Sequence, residues 1–585
     1  MRNSSLILIV WFAIGTWLRF TNLELKSPWT DEFSTMVFSL GNSFRNVPLD
    51  RAIALDVLMS PLIPKDAGTG EVVQHLLSES NHPPLYFVLA HLWMKLFPQN
   101  DGLISLWVAR SLPAILGAAS IPAMYALGYI AARSRLVGHL AAAMMAVSPY
   151  GIFLAQEARH YTLAILFAIA SLACLLIAVR HIEAQKPLSF WFSISWIAIN
   201  TLGIASHYFF VFTLLAEALV LLAFLLINWR TEHRKHQNSN SLKNIPKTNY
   251  ENQSKSAIQN FKSLIAVAIT TLLGGLIWLP VWQHNYNSEL TAWIKNSDRV
   301  GWEWINPIFQ LLAAWITMLS LLPVEVTSLP IVIASGLVMI IFFIWVVPLL
   351  IRGIKKTLTK AIDRQYVLLF SSFVTTSIVL FLIVTYGFGI DLTRGARYNF
   401  VYFPAVILLV GASLAEEVKS QKLKVKIMNL KSYFYLANFQ LAIILLMGFL
   451  SALTVTFNMG YQKYYRPDLL VPVIQKNSQY PIAIATTHKT HVQTGEMMGL
   501  GWEFQHLSDL EISKKPLFIL AHQDNDNSIL PTTILQKALS KLPRPLDLWL
   551  VNFQAPQNVK AQNCFPSSQT LPFVDGYDYQ LYRCN

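Results

Sequence analysis

Two adjacent carboxylates, Asp31 and Glu32, follow the first apolar segment of the chain in the stretch "KSPWTDEFSTM". If the N-terminus is cytoplasmic, this stretch begins the first loop at the outer membrane surface. A carboxylate held there can take a proton from a hydroxyl group as a general base. An isolated acidic pair is more often a solvated loop feature, so the interpretation depends on which other residues reach the same face.

Arginines supply that context, because translocated loops are usually poor in basic residues. The candidates near the outer face are Arg110, Arg159, Arg394 and Arg397. A guanidinium group matches a phosphate with two parallel hydrogen bonds, so an anionic lipid headgroup would explain them. Arg110, close to the end of its helix, is predicted either to contact phosphate or to extend toward the interface.

Seven further residues at the same face are predicted to contact substrate: His82, Tyr86, Glu157, His160, Tyr161, His207 and Tyr398. In "NHPPLYF", Pro83 and Pro84 also have a purely structural use, because they prevent a helix from starting earlier. Tyr86 and Tyr161 are most simply interfacial aromatics, with sugar stacking as the alternative. A divalent cation is one alternative for His82, but the histidines lack a ligand spacing, so the metal stays unknown.

Composition indicates a polytopic membrane protein. The chain has 585 residues, of which 54% are hydrophobic and 13% charged, with a mean hydropathy of +0.43. Its net charge of +13 is concentrated in short segments between apolar runs, as in cytoplasmic loops, and no nucleic acid partner is expected. These basic segments are 131–135, 180–187, 229–262, 351–366 and 416–432.

Keeping all five segments cytoplasmic requires that two apolar runs, 84–98 and 307–323, do not cross the membrane. The prediction is eleven membrane-spanning helices, with thirteen as the alternative. The N-terminus is then cytoplasmic and the C-terminus extracytoplasmic, in the plasma (inner) membrane.

From about residue 458 the composition becomes that of a soluble protein. The segments "PIAIATT", "PLFILAH" and "LDLWLVN" predict buried strands, and "PTTILQKALSKL" predicts a helix. A transmembrane domain at 1–457 and a small extracytoplasmic α/β domain at 458–585 are therefore expected. Cys564 and Cys584 could form a disulfide in that compartment.

Six motifs in order carry a family resemblance: "SPWTDEFSTM", "NHPPLYFVLAHLW", "ARSLPAILGAASIPAMYALG", "SPYGIFLAQEARHYTL", "SHYFF" and "RYNFVYFPAVILL". Together they resemble membrane glycosyltransferases of the GT-C fold, specifically glycosyltransferase family 39. That family is related to protein O-mannosyltransferases and lipid A aminoarabinose transferases. The resemblance covers about residues 5–415. Where the aminoarabinose branch has Glu-Lys-Pro, this chain has His-Pro-Pro, which puts a lysine–phosphate contact there in doubt.

The resemblance implies a sugar donor linked to polyprenyl phosphate, used at the outer face without a nucleotide sugar. In inverting transfer Asp31 would be the base, and Glu32 would orient Asp31 or bind sugar. Arg397, Arg394 and Arg159 would neutralise the leaving phosphate. The acceptor is left open as a glycan, a lipid or a protein, and membrane lipids are further partners.

Two other functions remain open at this point. A transporter or flippase of lipid-linked sugars would show inverted repeats, broken midplane helices and acids inside the spans. Here the charges cluster at one face instead. An oligosaccharide ligase or polymerase would use the same transfer chemistry on a lipid-linked oligosaccharide.

Overall fold

A computed structural model describes residues 2–97, 102–238, 247–285, 288–295, 299–428, 431–507, 515–524 and 529–585. Its helices, in chain order, are α1 Arg2–Phe20, α2 Thr30–Ser39, α3 Leu55–Met59, α4 Thr69–Glu79, α5 Leu85–Lys95, α6 Leu106–Ala132, α7 Arg135–Val147, α8 Pro149–Ala155, α9 Tyr161–Glu183, α10 Phe190–Ser206, α11 Phe210–Asn238, α12 Lys247–Leu276, α13 Leu279–His284, α14 Asn306–Leu319, α15 Leu329–Leu358, α16 Ala361–Gly387, α17 Phe403–Met428, α18 Lys431–Thr456, α19 Pro467–Asn477, α20 His491–Gln505 and α21 Leu530–Leu539. The strands are β1 Ala52–Ala54, β2 Ile482–His488, β3 Leu517–His522, β4 Leu546–Val551, β5 Cys564–Pro566 and β6 Tyr579–Cys584.

The chain divides into two compact units. The first, called the helical unit, contains residues 1–22, 113–286 and 294–461, and the second, called the sheet unit, contains residues 23–112, 287–293 and 462–585. The sequence places the corresponding boundary at 457/458. The structure differs because the first long loop, 23–112, folds together with the C-terminal segment.

The apolar helices make this a multi-pass membrane protein. Among the described residues, seven helices are long and apolar enough to span a bilayer: α6, α9, α11, α12, α15, α16 and α18. An eighth span results if α7 and α8, bent by 58°, act as one. Two further apolar helices, Ser4–Phe20 within α1 and α10, are each 17 residues long, close to the shortest length that crosses a bilayer.

The predicted total of eleven crossings would require the seven long helices, the bent pair, α1, α10 and α17. It therefore stays a prediction. The run 84–98 contributes only α5, of 11 residues, and the run 307–323 gives α14, of 14 residues. Both helices are well below the roughly 20 residues that a span needs, in agreement with their predicted non-crossing positions.

The bend between α7 and α8 has a local cause. Pro149 occupies the first turn of α8, and Ser148 before it has an extended backbone. The Ser148 hydroxyl accepts a hydrogen bond from the Gly151 amide (3.2 Å) and donates to the Met318 carbonyl (2.8 Å). This cap starts a new helix in a new direction and positions the turn that follows α8.

A six-stranded mixed sheet forms the core of the sheet unit, in the order β1-β3-β2-β4-β6-β5. The pairs β2/β3 and β2/β4 are parallel, while β1 and β6 run antiparallel to their neighbours. All three strands and the helix predicted after residue 458 are confirmed as β2, β3, β4 and α21. The predicted disulfide between Cys564 and Cys584 is also present.

Two contacts explain why the first loop belongs to this unit. Strand β1 extends the sheet, pairing Ala52 with Ile519. Helix α20 packs against α2, and Gly495 permits the approach, because a Cβ there would lie 2.8 Å from Cγ2 of Thr30. The loop thus supplies an edge strand and a helix to a sheet that the C-terminal segment builds.

Candidate functional site

Asp31 lies in the first turn of α2, in the sheet unit, and is partly exposed. Trp29 precedes the helix with an extended backbone, and the Lys463 ammonium lies 3.9 Å from the centre of its indole ring. Such a cation–π contact, together with the fixed φ of Pro28, holds the chain where α2 begins. The first turn of a helix also favours a carboxylate, because the helix dipole is positive there.

Glu32 forms a buried ion pair with Arg110, and the two side chains are 1% and 2% exposed. Arg110 donates from Nε to Oε1 (2.8 Å) and from Nη2 to Oε2 (2.7 Å) of Glu32. Its Nη1 donates to the carbonyl oxygens of Leu23 and Lys26, at 2.8 Å each. Arg110 therefore ties the start of α2 to the chain that leads into it.

The Arg110 guanidinium is enclosed by protein oxygens, because Nε and Nη2 donate to Glu32 and Nη1 donates to the backbone. A lipid phosphate would have to replace these bonds, and both sequence interpretations of Arg110 stay predictions. The role of Glu32, orienting Asp31 or binding sugar, stays a prediction. Its carboxylate fixes the first turn of α2, and this turn carries Asp31.

His491, at the start of α20, is the residue near Asp31 that sequence reasoning missed. Its ring stacks on Phe44 (centroids 5.0 Å apart) and meets Phe38 edge-on (6.1 Å). Burial lowers the pKa of His491 to about 4, and the nearby negative charge of Asp31 acts in the opposite direction. A neutral imidazole thus stands beside Asp31 at neutral pH.

The "NHPPLYF" segment also lies in the sheet unit. Pro84 directly precedes α5, so the prolines delimit the helix as predicted. His82 is partly exposed, with Nδ1 3.4 Å from Oγ of Ser80 and its ring edge-on to Phe87 (6.0 Å). Tyr86 is fully buried, and its predicted contact with substrate stays a prediction.

The turn after α8, in the helical unit, is buried throughout. Its four predicted site residues are Glu157, Arg159, His160 and Tyr161. The Arg159 amide donates to the Glu157 carbonyl (2.6 Å), which tightens the turn. Arg159 is only 1% exposed, and its predicted contact with a phosphate stays a prediction.

His207 joins this turn to the segment around Tyr398. Its ring centre lies 4.5 Å from that of His160, 5.2 Å from that of Tyr161 and 6.4 Å from that of Tyr398. Four predicted residues from three distant parts of the chain are thereby brought into one aromatic cluster.

Arg397 and Arg394 are the accessible predicted arginines of the helical unit. Arg397 is partly exposed, with its guanidinium 5.3 Å from the centre of the Tyr398 ring. The Tyr150 hydroxyl donates to the Arg397 carbonyl (3.0 Å) and so fixes its backbone. Arg394 is exposed, with Nε 3.7 Å from Oδ2 of Asp391.

Arg299 was not predicted and supports this segment from a buried position. Its Nη2 lies 3.1 Å from Oδ2 of Asp391, and its Nη1 donates to the Thr385 carbonyl (2.9 Å). Asp391 also accepts from the Thr393 amide (3.1 Å) at the start of a short helical turn. The acidic and basic residues near 391–398 indicated a charged segment there, but nothing in the sequence indicated that Arg299 would contact it.

The predicted residues thus fall into two groups. Asp31, Glu32, His82, Tyr86 and Arg110 belong to the sheet unit, and the rest belong to the helical unit. Within the described parts of the chain, no group of three or more His, Cys, Asp or Glu side chains is arranged to hold a metal ion. The divalent cation considered for His82 therefore has no ligand set among these residues.

Comparison with solved structures finds chains that are similar to this one. An oligosaccharyltransferase from Archaeoglobus fulgidus in the apo form is 11% identical, with a TM-score of 0.47 over 98% of this chain and 74% of that one. ArnT from Cupriavidus metallidurans bound to undecaprenyl phosphate is 12% identical, with a TM-score of 0.44 over 98% and 97%.

Comparison with protein families gives a match at the level of sequence. No curated protein matches the chain. Residues 91–251, little more than a quarter of the chain, match the family model described as dolichyl-phosphate-mannose-protein mannosyltransferase. Over this part, the chain is therefore similar to a glycosyltransferase family of the kind that its motifs resemble.

Proposed function

We propose that the protein transfers a sugar from a polyprenyl-phosphate donor to an acceptor hydroxyl, with inversion, at the extracytoplasmic face of the membrane. The observation that carries the proposal is the start of α2. There, Asp31 is partly exposed, and its neighbour Glu32 is held in place by the buried ion pair with Arg110. The family match over residues 91–251 supports the class of reaction.

In this reaction Asp31 accepts the proton of the acceptor hydroxyl while the hydroxyl oxygen attacks the anomeric carbon. The bond between that carbon and the phosphate oxygen breaks, and the polyprenyl phosphate leaves with the electron pair. Arg397 and Arg394 are proposed to neutralise the leaving phosphate, since both are accessible and Arg397 has a fixed backbone. The acceptor class, glycan, lipid or protein, is part of what the experiment determines.

The test is to incubate the purified full-length protein with a panel of polyprenyl-phosphate sugars and acceptors and to analyse the products by mass spectrometry. Asp31→Asn keeps the side-chain shape but removes the proton acceptor, so turnover should fall by about 10²–10⁴-fold with donor binding retained. Normal turnover in this variant would remove Asp31 from the reaction. Asp56→Asn, a change to an exposed carboxylate in the same unit, is the matched control.

Variants of Arg397 test the binding of the donor phosphate independently of proton transfer. Arg397→Lys keeps the charge but loses the two-pronged guanidinium, so it should weaken kcat/KM for the donor, and Arg397→Ala should weaken it further. Full activity in the alanine variant would exclude Arg397 from the phosphate site. Arg352→Ala, which removes an exposed arginine of α15, controls for general loss of positive charge.

A further inference from the structure

A cavity of about 330 Å³ lies within the helical unit and has no role in the proposed transfer. It is bounded by α9, α10, α11, α12 and α13, and most of its lining residues are aliphatic. Three of these helices, α9, α11 and α12, are candidate membrane spans. The cavity therefore lies at membrane depth, where its natural occupants are lipid-soluble.

Glu217 gives the cavity its chemistry. It stands seven residues into α11, about 10 Å along the helix axis, and is 4% exposed. Its Oε2 lies 2.7 Å from Oγ of Ser171, whereas Oε1 has no hydrogen-bond partner among the described residues. An ionisable side chain inside a membrane span is expensive, and an unmet acceptor adds to that cost, which points to a ligand.

A row of polar side chains continues from Glu217 into the neighbouring helices. Oγ of Ser171 lies 2.7 Å from Oε2 of Glu217 and 2.9 Å from Oδ1 of Asn200. Nδ2 of Asn200 lies 3.4 Å from Oγ1 of Thr271. These contacts occupy Oε2 of Glu217 and leave Oε1 as an acceptor that requires a donor.

Donors without acceptors line the same cavity. Nε1 of Trp196 and Nε1 of Trp282 are buried and have no hydrogen-bond partner among the described residues. No lysine, arginine or histidine occurs among the described residues that line the cavity. A phosphate or carboxylate group would therefore be desolvated there without a counter-charge, which is unfavourable. A hydroxyl group fits, because it can donate to Glu217 and accept from an indole.

We propose that this cavity binds a membrane lipid alcohol, a single long apolar chain that ends in a hydroxyl group, with the hydroxyl donating to Oε1 of Glu217. The aliphatic lining takes the chain, and the polar row from Glu217 to Thr271 holds the head. Linear alkyl alcohols and isoprenoid alcohols share this chemistry.

The experiment uses the full-length protein in lipid nanodiscs with diazirine-bearing hexadecanol and farnesol. The methyl ethers of both compounds lack the donor, and farnesyl phosphate tests an anionic head. Labelling by at least one alcohol should map to the cavity-lining residues of α11 and α12 and should exceed labelling by its ether about 2–12-fold. The alcohol that labels more strongly identifies the chain type.

Variants of Glu217 provide the second arm. Glu217→Gln keeps a carbonyl oxygen and can donate from Nε2 to Ser171, so alcohol labelling should be retained. Glu217→Leu removes the acceptor and should reduce alcohol labelling to the level of the ether. Leu219→Ala, which changes an exposed residue of α11 outside the cavity, should have no effect.

Three results would overturn the proposal. These are equal labelling by alcohol and ether, equal labelling by farnesyl phosphate and farnesol, and labels that map outside the cavity. Equal labelling by farnesyl phosphate would identify the cavity as a groove for phosphorylated lipid. The comparisons of head groups need only the wild-type chain, so they remain decisive even if Glu217→Leu fails to fold.

Discussion

Replacing Glu32 with glutamine should damage the protein more through stability than through direct loss of chemistry. The amide oxygen of the new side chain could still accept from Nε of Arg110 at the position of Oε1. Its NH₂ group would face Nη2, however, so the 2.7 Å bond to Oε2 is lost. A guanidinium would also be left buried without a counter-charge. Removing one member of a buried pair typically costs 3–5 kcal/mol, and we expect about 3 kcal/mol because one bond remains.

The assay is thermal unfolding of purified protein in one detergent, combined with turnover and donor binding measured well below the melting temperature. Asp31→Asn, at a partly exposed position, should change the free energy of unfolding by less than about 0.5 kcal/mol yet lose turnover. Glu32→Gln should lower both stability and kcat, because the first turn of α2 is no longer fixed. Glu24→Gln is the matched control, since Glu24 is exposed and accepts from the Trp107 amide (3.1 Å) in the same unit.

A double-mutant cycle with Arg110→Met tests the cause. The two side chains interact directly, so Glu32→Gln and Arg110→Met together should cost less than the sum of the single changes, by about 0.5–3 kcal/mol. Additive effects would show that the two residues act independently. If Glu32→Gln were as stable as wild type, the buried pair would not hold α2, and the positioning role of Glu32 would be refuted.

Three further predictions concern the sheet unit and the topology. Reducing the Cys564–Cys584 bond, which closes a loop of 20 residues, should destabilise the sheet unit by about 3 kcal/mol in the chain-entropy model, and unchanged unfolding under reducing conditions would contradict this. His491 has a pKa of about 4 in the folded protein and 6.5 in the unfolded chain. The unfolded state therefore binds more protons between these pH values, and stability should fall as the pH decreases from 6.5 to 4. His491→Phe should flatten this dependence of stability on pH, and parallel profiles for the variant and the wild type would exclude His491 as its source. In intact cells an impermeant thiol reagent should label Gln554→Cys but not Thr359→Cys, and labelling of the latter from outside would exclude the proposed orientation.

Local patterns in the sequence were sufficient for several features. Alternation and short apolar runs predicted β2, β3 and β4, because a short apolar run must be buried in the core whatever its position in the sheet. The length of α5 limited it to a non-spanning position, and the two prolines before it set its start. The cysteine pair followed from two thiols in one small domain, and adjacent strands β5 and β6 bring them together in register.

The tertiary structure decided which distant residues meet. Strand β1 has only three residues and no periodicity, and it exists because β3 offers a free edge to pair with. The Glu32–Arg110 pair joins positions 78 residues apart, and its burial depends on the rotation of two helices about their axes. Burial of Arg159 and the unmet oxygen of Glu217 likewise depend on neighbouring helices. A sequence can place a charge near a membrane surface, but only packing determines whether that charge faces substrate, another side chain or a lipid.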